Sequence, residues 1–301
     1  MSCGLQSKGK HTYEPQASSI EKSMRYLSSD ELEGRETGSQ GIEKAAVFIE
    51  NIFREANLKP YYKTYRDSFD YKDKVGYNLI AFKEGSDEKL KNEVIILGAH
   101  YDHIGVITPE AGDSIANGAN DDASGTTAVL ELAKTFAQIE TKRSILFTLF
   151  SAEEKGLVGS KHLAERLEKE GVHPYVMLNF EMIAVPMKNT AYLAYLTGYQ
   201  VSNFADVFNS FSSEDVLGYW EDENKYQVFK RSDNYAFYKA LDIPAHTLSS
   251  FNFENFDHYH KVGDEMDLVD VDFMERLIRA TVPGIQGLAN TEAQNIQLNT
   301  H

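Results

Sequence analysis

With a single cysteine, Cys3, in 301 residues, the chain can form no intrachain disulfide and no cysteine-based zinc knuckle. Any metal site must therefore be built from His, Asp and Glu. No apolar run approaches the roughly 18 to 20 residues that a bilayer span requires. Basic residues are also in short supply: 30 Lys and Arg face 46 Asp and Glu, a formal net charge of −16. Nucleic acid and anionic membrane surfaces would repel such a chain at long range, so neither is expected as a partner. No Gly-x-Ser-x-Gly elbow for a serine nucleophile occurs, and the first ten residues lack the apolar centre of a signal peptide. What is present is a 42% hydrophobic content, enough for a substantial core.

The chain shows no internal repeat, low-complexity tract or Pro-rich linker, so one domain is expected over residues 17–301 behind a tether of residues 1–16. In the segment Glu43 to Asn57, Ala45, Phe48, Ile49, Ile52 and Phe53 fall at helical spacing and form one apolar stripe. Further helices are expected at 20–27, 124–137, 156–170, 235–241 and 271–289. Strands are expected at 77–82, 94–97, 145–150, 175–180, 192–196 and 244–248. These strands are rich in Ile, Leu, Val and Phe without strict alternation, which suits a sheet covered on both faces by helices. The fold class is α/β: a single three-layer α/β/α sandwich with a mixed, mostly parallel central sheet.

His100, Asp121, Glu154, Glu181 and His260 each fall at an expected strand end or in a loop beyond one, where open α/β sheets carry their sites. Individually, each has an ordinary explanation. A histidine at an apolar strand end is more often a hydrogen-bonded core residue than a ligand, and a Glu pair suits the start of a helix. Taken together, buried carboxylates at apolar strand ends would be costly without compensation, and divalent cations would supply it.

The motifs His100-Tyr-Asp-His103, Gly118-Ala-Asn-Asp-Asp-Ala-Ser-Gly125, Ser151-Ala-Glu-Glu154, Gly156-Leu-Val-Gly-Ser160, Asn179-Phe-Glu-Met-Ile183, Arg231-Ser-Asp233 and Tyr259-His260 occur in that order. Together they resemble the co-catalytic zinc aminopeptidases, the family of bacterial leucyl aminopeptidases that also includes glutamate carboxypeptidase-like enzymes and glutaminyl cyclases. Leu32-Glu-Gly-Arg-Glu-Thr-Gly-Ser39 is similar to that family's N-terminal signature, so the likeness runs from about Ile20 to Leu288. The resemblance implies two zinc ions per chain. His100, Asp121 and Glu181 would hold one, and Asp121, Glu154 and His260 the other, with Asp121 shared. Asp102 would fix the His100 tautomer, and Asp122 would brace the loop. Glu181 departs from the pattern, since many relatives carry Asp there, and Asn234 stands where His is frequent.

The same resemblance implies peptide substrates and a water shared by the two metals as the attacking group. Glu153 would be its general base and Tyr259 a donor to the oxyanion. His103 and His258 fit no required role and read as loop or rim histidines. The pocket walls are expected from 210–230 and 251–256. Three other readings stay open: a glutaminyl cyclase-like transferase with a single zinc, a carboxypeptidase or dipeptidase clamping a carboxylate with Arg231, and a non-catalytic binding module. The start Met1-Ser-Cys-Gly resembles a mature bacterial lipoprotein after its signal segment, which implies a lipid anchor at Cys3 and a place in the cell envelope or periplasm. A cytoplasmic N-terminus is the alternative.

Overall fold

The computed structural model describes residues 13–299; Cys3, and with it the expected lipid anchor, lies outside them. In chain order the elements begin with α1 (Ala17–Leu27), α2 (Gln40–Glu55), β1 (Lys59–Pro60), β2 (Arg66–Tyr71), β3 (Lys74–Lys83) and β4 (Ile95–His100). They continue with β5 (Gly105–Glu110), β6 (Asp113–Ala116), α3 (Ser124–Phe136), β7 (Ile145–Phe150), α4 (Val158–Glu170), β8 (Val176–Phe180) and β9 (Ala194–Leu196). The last are α5 (Phe204–Asn209), β10 (Leu217–Gly218), α6 (Glu223–Tyr226), α7 (Asn234–Leu241), β11 (Ala245–Ser249) and α8 (Val271–Asn290).

Nine strands form one sheet in the order β1-β3-β7-β4-β8-β11-β9-β10, with β2 paired to β3. The middle four, β7, β4, β8 and β11, run parallel, while β3 joins β7 and β9 joins β11 antiparallel. Burial on both faces explains the continuous apolar strands. Ile95, Leu97, Ile145, Phe147 and Leu149 face a core shared with α1, α2, α3, α5 and α8, and Ile96 and Leu146 face a second core under α4 and α7. The period of two is present, but both of its phases are apolar. Helices thus cover both faces, as expected.

The sequence reading left β1, β2, β5, β6 and β10 unassigned. β2 pairs along the edge with β3, and β5 and β6 form a separate hairpin directly after His103. Tyr13 and Glu14, which that reading put in the tether, lie against the domain, Tyr13 donating to Glu131 on α3 and Glu14 pairing with Arg279 on α8.

Candidate metal centre

The carboxyl ends of the parallel strands converge on one edge of the sheet. His100 is the last residue of β4, Glu153 and Glu154 follow β7, Glu181 follows β8, and His260 lies on the loop beyond β11. Asp121 reaches the same place from an irregular turn, Ala119–Ala123, that leads into α3.

The octapeptide from Gly118 to Gly125 folds as it does because side chains are excluded at both ends. Gly118 has a left-handed φ of +59°, and a Cβ there would sit 2.2 Å from the Asp121 carbonyl oxygen and 2.6 Å from the His103 ring. At Gly125 a Cβ would come within 2.2 Å of the Phe180 carbonyl oxygen and 2.5 Å of the Asp122 carboxylate. Asp264 accepts from the backbone N–H of Asn120 (2.7 Å) and of Asp121 (2.9 Å). Asp122 accepts from the N–H of Gly125 (2.9 Å) and of Met182 (3.0 Å), so it braces the loop as anticipated. With the turn held by these neighbours, the Asp121 carboxylate is left free.

The signature around Arg35 serves the same end. Its guanidinium is fully buried and donates to the carbonyls of Tyr101 (2.9 Å), Asn117 (2.6 Å) and Gly118 (3.0 Å), and to that of Leu27. One side chain thereby ties the segment that carries His100 to the segment that carries Asp121. Ala152, Met182 and His260, each at or beside a predicted functional residue, have φ of 58°, 51° and 57°. Left-handed backbone costs a non-glycine residue about 1–2 kcal/mol, and such strain gathers at functional sites.

Four of the predicted donors meet directly. His100 Nε2 lies 3.2 Å from Asp121 Oδ1, and His260 Nε2 lies 3.2 Å from Asp121 Oδ2 and 3.1 Å from Glu154 Oε1. Glu181 faces the same group of charges: burial pushes its carboxyl up to about 7, opposed by His100 and reinforced by Asp121. Asp102 has one carboxylate oxygen 3.7 Å from His100 Nδ1, which also lies 3.1 Å from the Asp102 carbonyl. The other partners of Asp102 are the Glu153 N–H (3.1 Å) and the Thr37 hydroxyl (3.4 Å).

His103 lies on the loop after β4, one of the two places expected for it, but joins the cluster, which was not expected. It is fully buried, not at a rim, with Nδ1 3.0 Å from Glu154 Oε1 and 3.9 Å from Asp121 Oδ2. Its spacing from His100 was the only sequence signal available, and β4 ends at His100, so strand alternation could not say where the later ring would go.

These close approaches are not hydrogen bonds. His100 Nε2, both ring nitrogens of His103, Asp122 Oδ2, Glu154 Oε1 and Glu181 Oε2 are buried without a hydrogen-bond partner among the described residues. Leaving such an atom unsatisfied costs about 1–3 kcal/mol. So many at one spot, all of them nitrogen or oxygen donors, fit divalent cations of the zinc class.

Proton affinities point the same way. Against the cost of burial, His103, His100 and His260 hold the Asp121 carboxyl well below its usual range. Burial likewise opposes protonation of His260, yet Asp121 and Glu154 raise its pKa to about 10. Without metal, protons on His100 and His260 supply positive charge beside the carboxylates. Burial pushes Glu153 well up, Glu181, Asp233 and Glu154 add to the rise, and His100 opposes it. Burial, followed by the charges of Asp121 and Glu154, keeps the Tyr259 hydroxyl protonated far above neutrality.

Tyr259 stacks on His260 with centroids 3.9 Å apart, and its hydroxyl accepts from Arg231 at 3.3 Å. Beside it opens a cavity of about 40 Å³ reaching Glu181, with Val228, Arg231, Phe251 and Phe253 in its wall. Val228, Phe251 and Phe253 come from the two loops expected to line a pocket. Tyr195, Thr197, Thr247 and Ser249, from β9, β11 and the end of β9, also line it and were not foreseen.

Residues 78–283 match the description Peptidase family M28. Among curated proteins the chain is 36% identical over 115 residues to a probable leucine aminopeptidase 2 of Aspergillus oryzae, a stretch that is 38% of this chain and 21% of that protein. The chain thus matches only about a fifth of that relative's length. Among solved structures it is similar to BSAP, a zinc aminopeptidase from Bacillus subtilis, with a TM-score of 0.72, 16% identity, and coverage of 92% of this chain and 96% of that one. It is also similar to a Porphyromonas gingivalis glutaminyl cyclase, with a TM-score of 0.65, 17% identity, and coverage of 91% and 98%. At those identities the two structures speak for the fold alone. With its fold and motifs in agreement with a match over residues 78–283, this chain belongs to peptidase family M28.

Proposed function

We propose that the protein is a di-zinc aminopeptidase that removes N-terminal residues from peptides. The observation that carries this reading is the cluster of buried, hydrogen-bond-free donors from His100, Glu154 and Glu181 around Asp121. His100, Asp121 and Glu181 would hold one ion, and Asp121, Glu154 and His260 the other. When bound, zinc supplies Lewis acidity that polarises the scissile carbonyl and makes water acidic enough to attack near neutral pH.

The chain's own residues do the rest. Glu153, its pKa raised by burial and neighbouring carboxylates, takes a proton from the attacking water and passes it to the departing amine. Tyr259 stays protonated and donates to the oxyanion. Asp102 orients His100 through its backbone carbonyl, 3.1 Å from Nδ1, with its carboxylate 3.7 Å from the same nitrogen. The cavity beside Glu181 receives the side chain of the first residue, and the acids around it attract the free α-amine. Arg231, the one motif-linked residue able to clamp a carboxylate, stacks over Phe253 and bonds Tyr259, which favours the amine end over the carboxyl end. Residues 17–301 would form the catalytic domain, and an envelope location with a lipid on Cys3 belongs to the same reading.

A panel of peptides with free or blocked ends tests it. Cleavage that needs a free N-terminus and stops with chelator is the expected outcome. Release of C-terminal residues, or cyclisation of N-terminal glutamine in place of hydrolysis, would replace it.

A further inference from the structure

His103 is a buried group that the proposed mechanism leaves unused, and it sits inside the cluster. One donor atom from each of His103, Asp121 and Glu154 lies within 4.8 Å of the other two, and His260 Nε2 lies beside the two carboxylates. The separations are 3.2 and 3.1 Å from His260 Nε2 to Asp121 and Glu154, and 3.0 and 3.9 Å from His103 Nδ1 to Glu154 and Asp121. Zinc bonds of about 2.0–2.2 Å in a tetrahedron put neighbouring donors about 3.3–3.6 Å apart. Each of the four separations lies within about 0.3 Å of that range, so shifts of a few tenths of an ångström would bring these donors to the spacing a zinc ion needs.

The contacts also have the wrong direction for hydrogen bonds. His103 Nδ1 and Glu154 Oε1 approach to 3.0 Å, yet both are buried atoms without a hydrogen-bond partner. Two donors aimed past each other at a shared space are what a cation requires. The His103 ring has little freedom to leave. It is fully buried, it packs against Gly118 so closely that a Cβ there would sit 2.6 Å from the ring, and its backbone N–H donates to the Arg35 carbonyl at 3.3 Å. Two carboxylates and two neutral imidazoles around a divalent cation also sum to zero charge, which a buried position favours.

We infer that His103 is a fourth protein donor to the Asp121, Glu154 and His260 subsite, so that the two metal subsites are unequal. The His103 side is a four-donor pocket that fills first and releases its ion last. The His100, Asp121 and Glu181 side has three donors and fills second. This inference rests on the di-zinc reading and sharpens it.

The test compares wild type, His103→Ala and His103→Asn by chelator-competed titration with zinc and by titration with cobalt(II), whose visible absorption strengthens as coordination falls to four. The asparagine amide can donate a hydrogen bond to Glu154 from near the Nδ1 position but is a poor metal ligand. Loss of an outer hydrogen-bond partner weakens metal binding about 10–100-fold, so loss of a ligand should exceed about 100-fold for the first equivalent in both variants. The intense absorption of the first cobalt equivalent should weaken in both, while the second zinc equivalent changes little. Melting of the metal-free variants like metal-free wild type shows that the fold is intact. An unchanged first equivalent, or affinity restored by Asn, overturns the inference while leaving the di-zinc reading standing. Wild type that binds no metal sinks both.

Discussion

His100 and His246 lie in the same sheet, on β4 and β11, with only β8 between them, and both are fully buried. Their surroundings are opposite. His246 has Nε2 2.7 Å from the Ser202 hydroxyl and Nδ1 2.8 Å from the Thr197 carbonyl, and burial pushes its pKa down to about 4. It is a neutral core histidine with both nitrogens satisfied. His100 has only Nδ1 engaged, its Nε2 is without a hydrogen-bond partner, and carboxylates hold its proton affinity well up against burial. A buried histidine with two partners is part of the architecture, and one with a free nitrogen among carboxylates has the surroundings of the metal ligand proposed above.

The largest expected effect lies on the functional side of this contrast. Replacing Glu153 by Gln removes the proton carrier without touching a donor, so turnover should fall about 10²–10⁴-fold with zinc content unchanged. Unaltered turnover would end its assignment as general base. Tyr259→Phe should follow, lowering kcat about 10²-fold or more through the lost oxyanion contact; a rise confined to KM would make Tyr259 a packing residue. His100→Ala should lower zinc content, whereas His246→Ala should leave zinc bound and instead lower stability by about 1–3 kcal/mol, because Ser202 and Thr197 lose their partner. Equal effects of the two substitutions on metal content would erase the distinction.

The smallest effect belongs to His246 alone and has a definite sign. The unfolded chain takes up a proton on this residue below its ordinary value of 6.5, while the folded chain resists until about 4. The folded state is therefore unpenalised above pH 6.5, loses stability as pH falls through that window, and levels off below about 4. One pKa unit corresponds to about 1.36 kcal/mol, so at pH 5 the loss is about 2 kcal/mol. Urea unfolding of metal-free wild type and His246→Gln at pH 7.5 and pH 5 should show the wild type losing about that much more than the variant. Parallel losses would show that His246 is not held neutral.

How far the sequence could be read follows the same physics. The strands from Ile145 to Phe150 and Val176 to Phe180 were visible because both faces are apolar, and Glu153, Glu154 and Glu181 stood out as charges where such strands stop. Asp121 was visible through two glycines that tolerate no side chain. The two-residue strands β1 and β10 were too short to carry a periodic signal. The hairpin of β5 and β6, with Val106 exposed at 63%, has no buried face to impose a pattern. His103 was missed because it lies beyond the end of β4, where register no longer fixes direction. Arg35 and Asp264 act on backbone groups of distant segments, and no spacing encodes that.

Everything functional here depends on the donor cluster holding zinc. Elemental analysis of purified active protein, followed through chelation and zinc return with activity measured at each stage, addresses that claim most directly. The account predicts two equivalents of zinc per chain, activity lost as they are stripped, and recovery on replacement. Full peptidase activity in protein that carries no metal would contradict it.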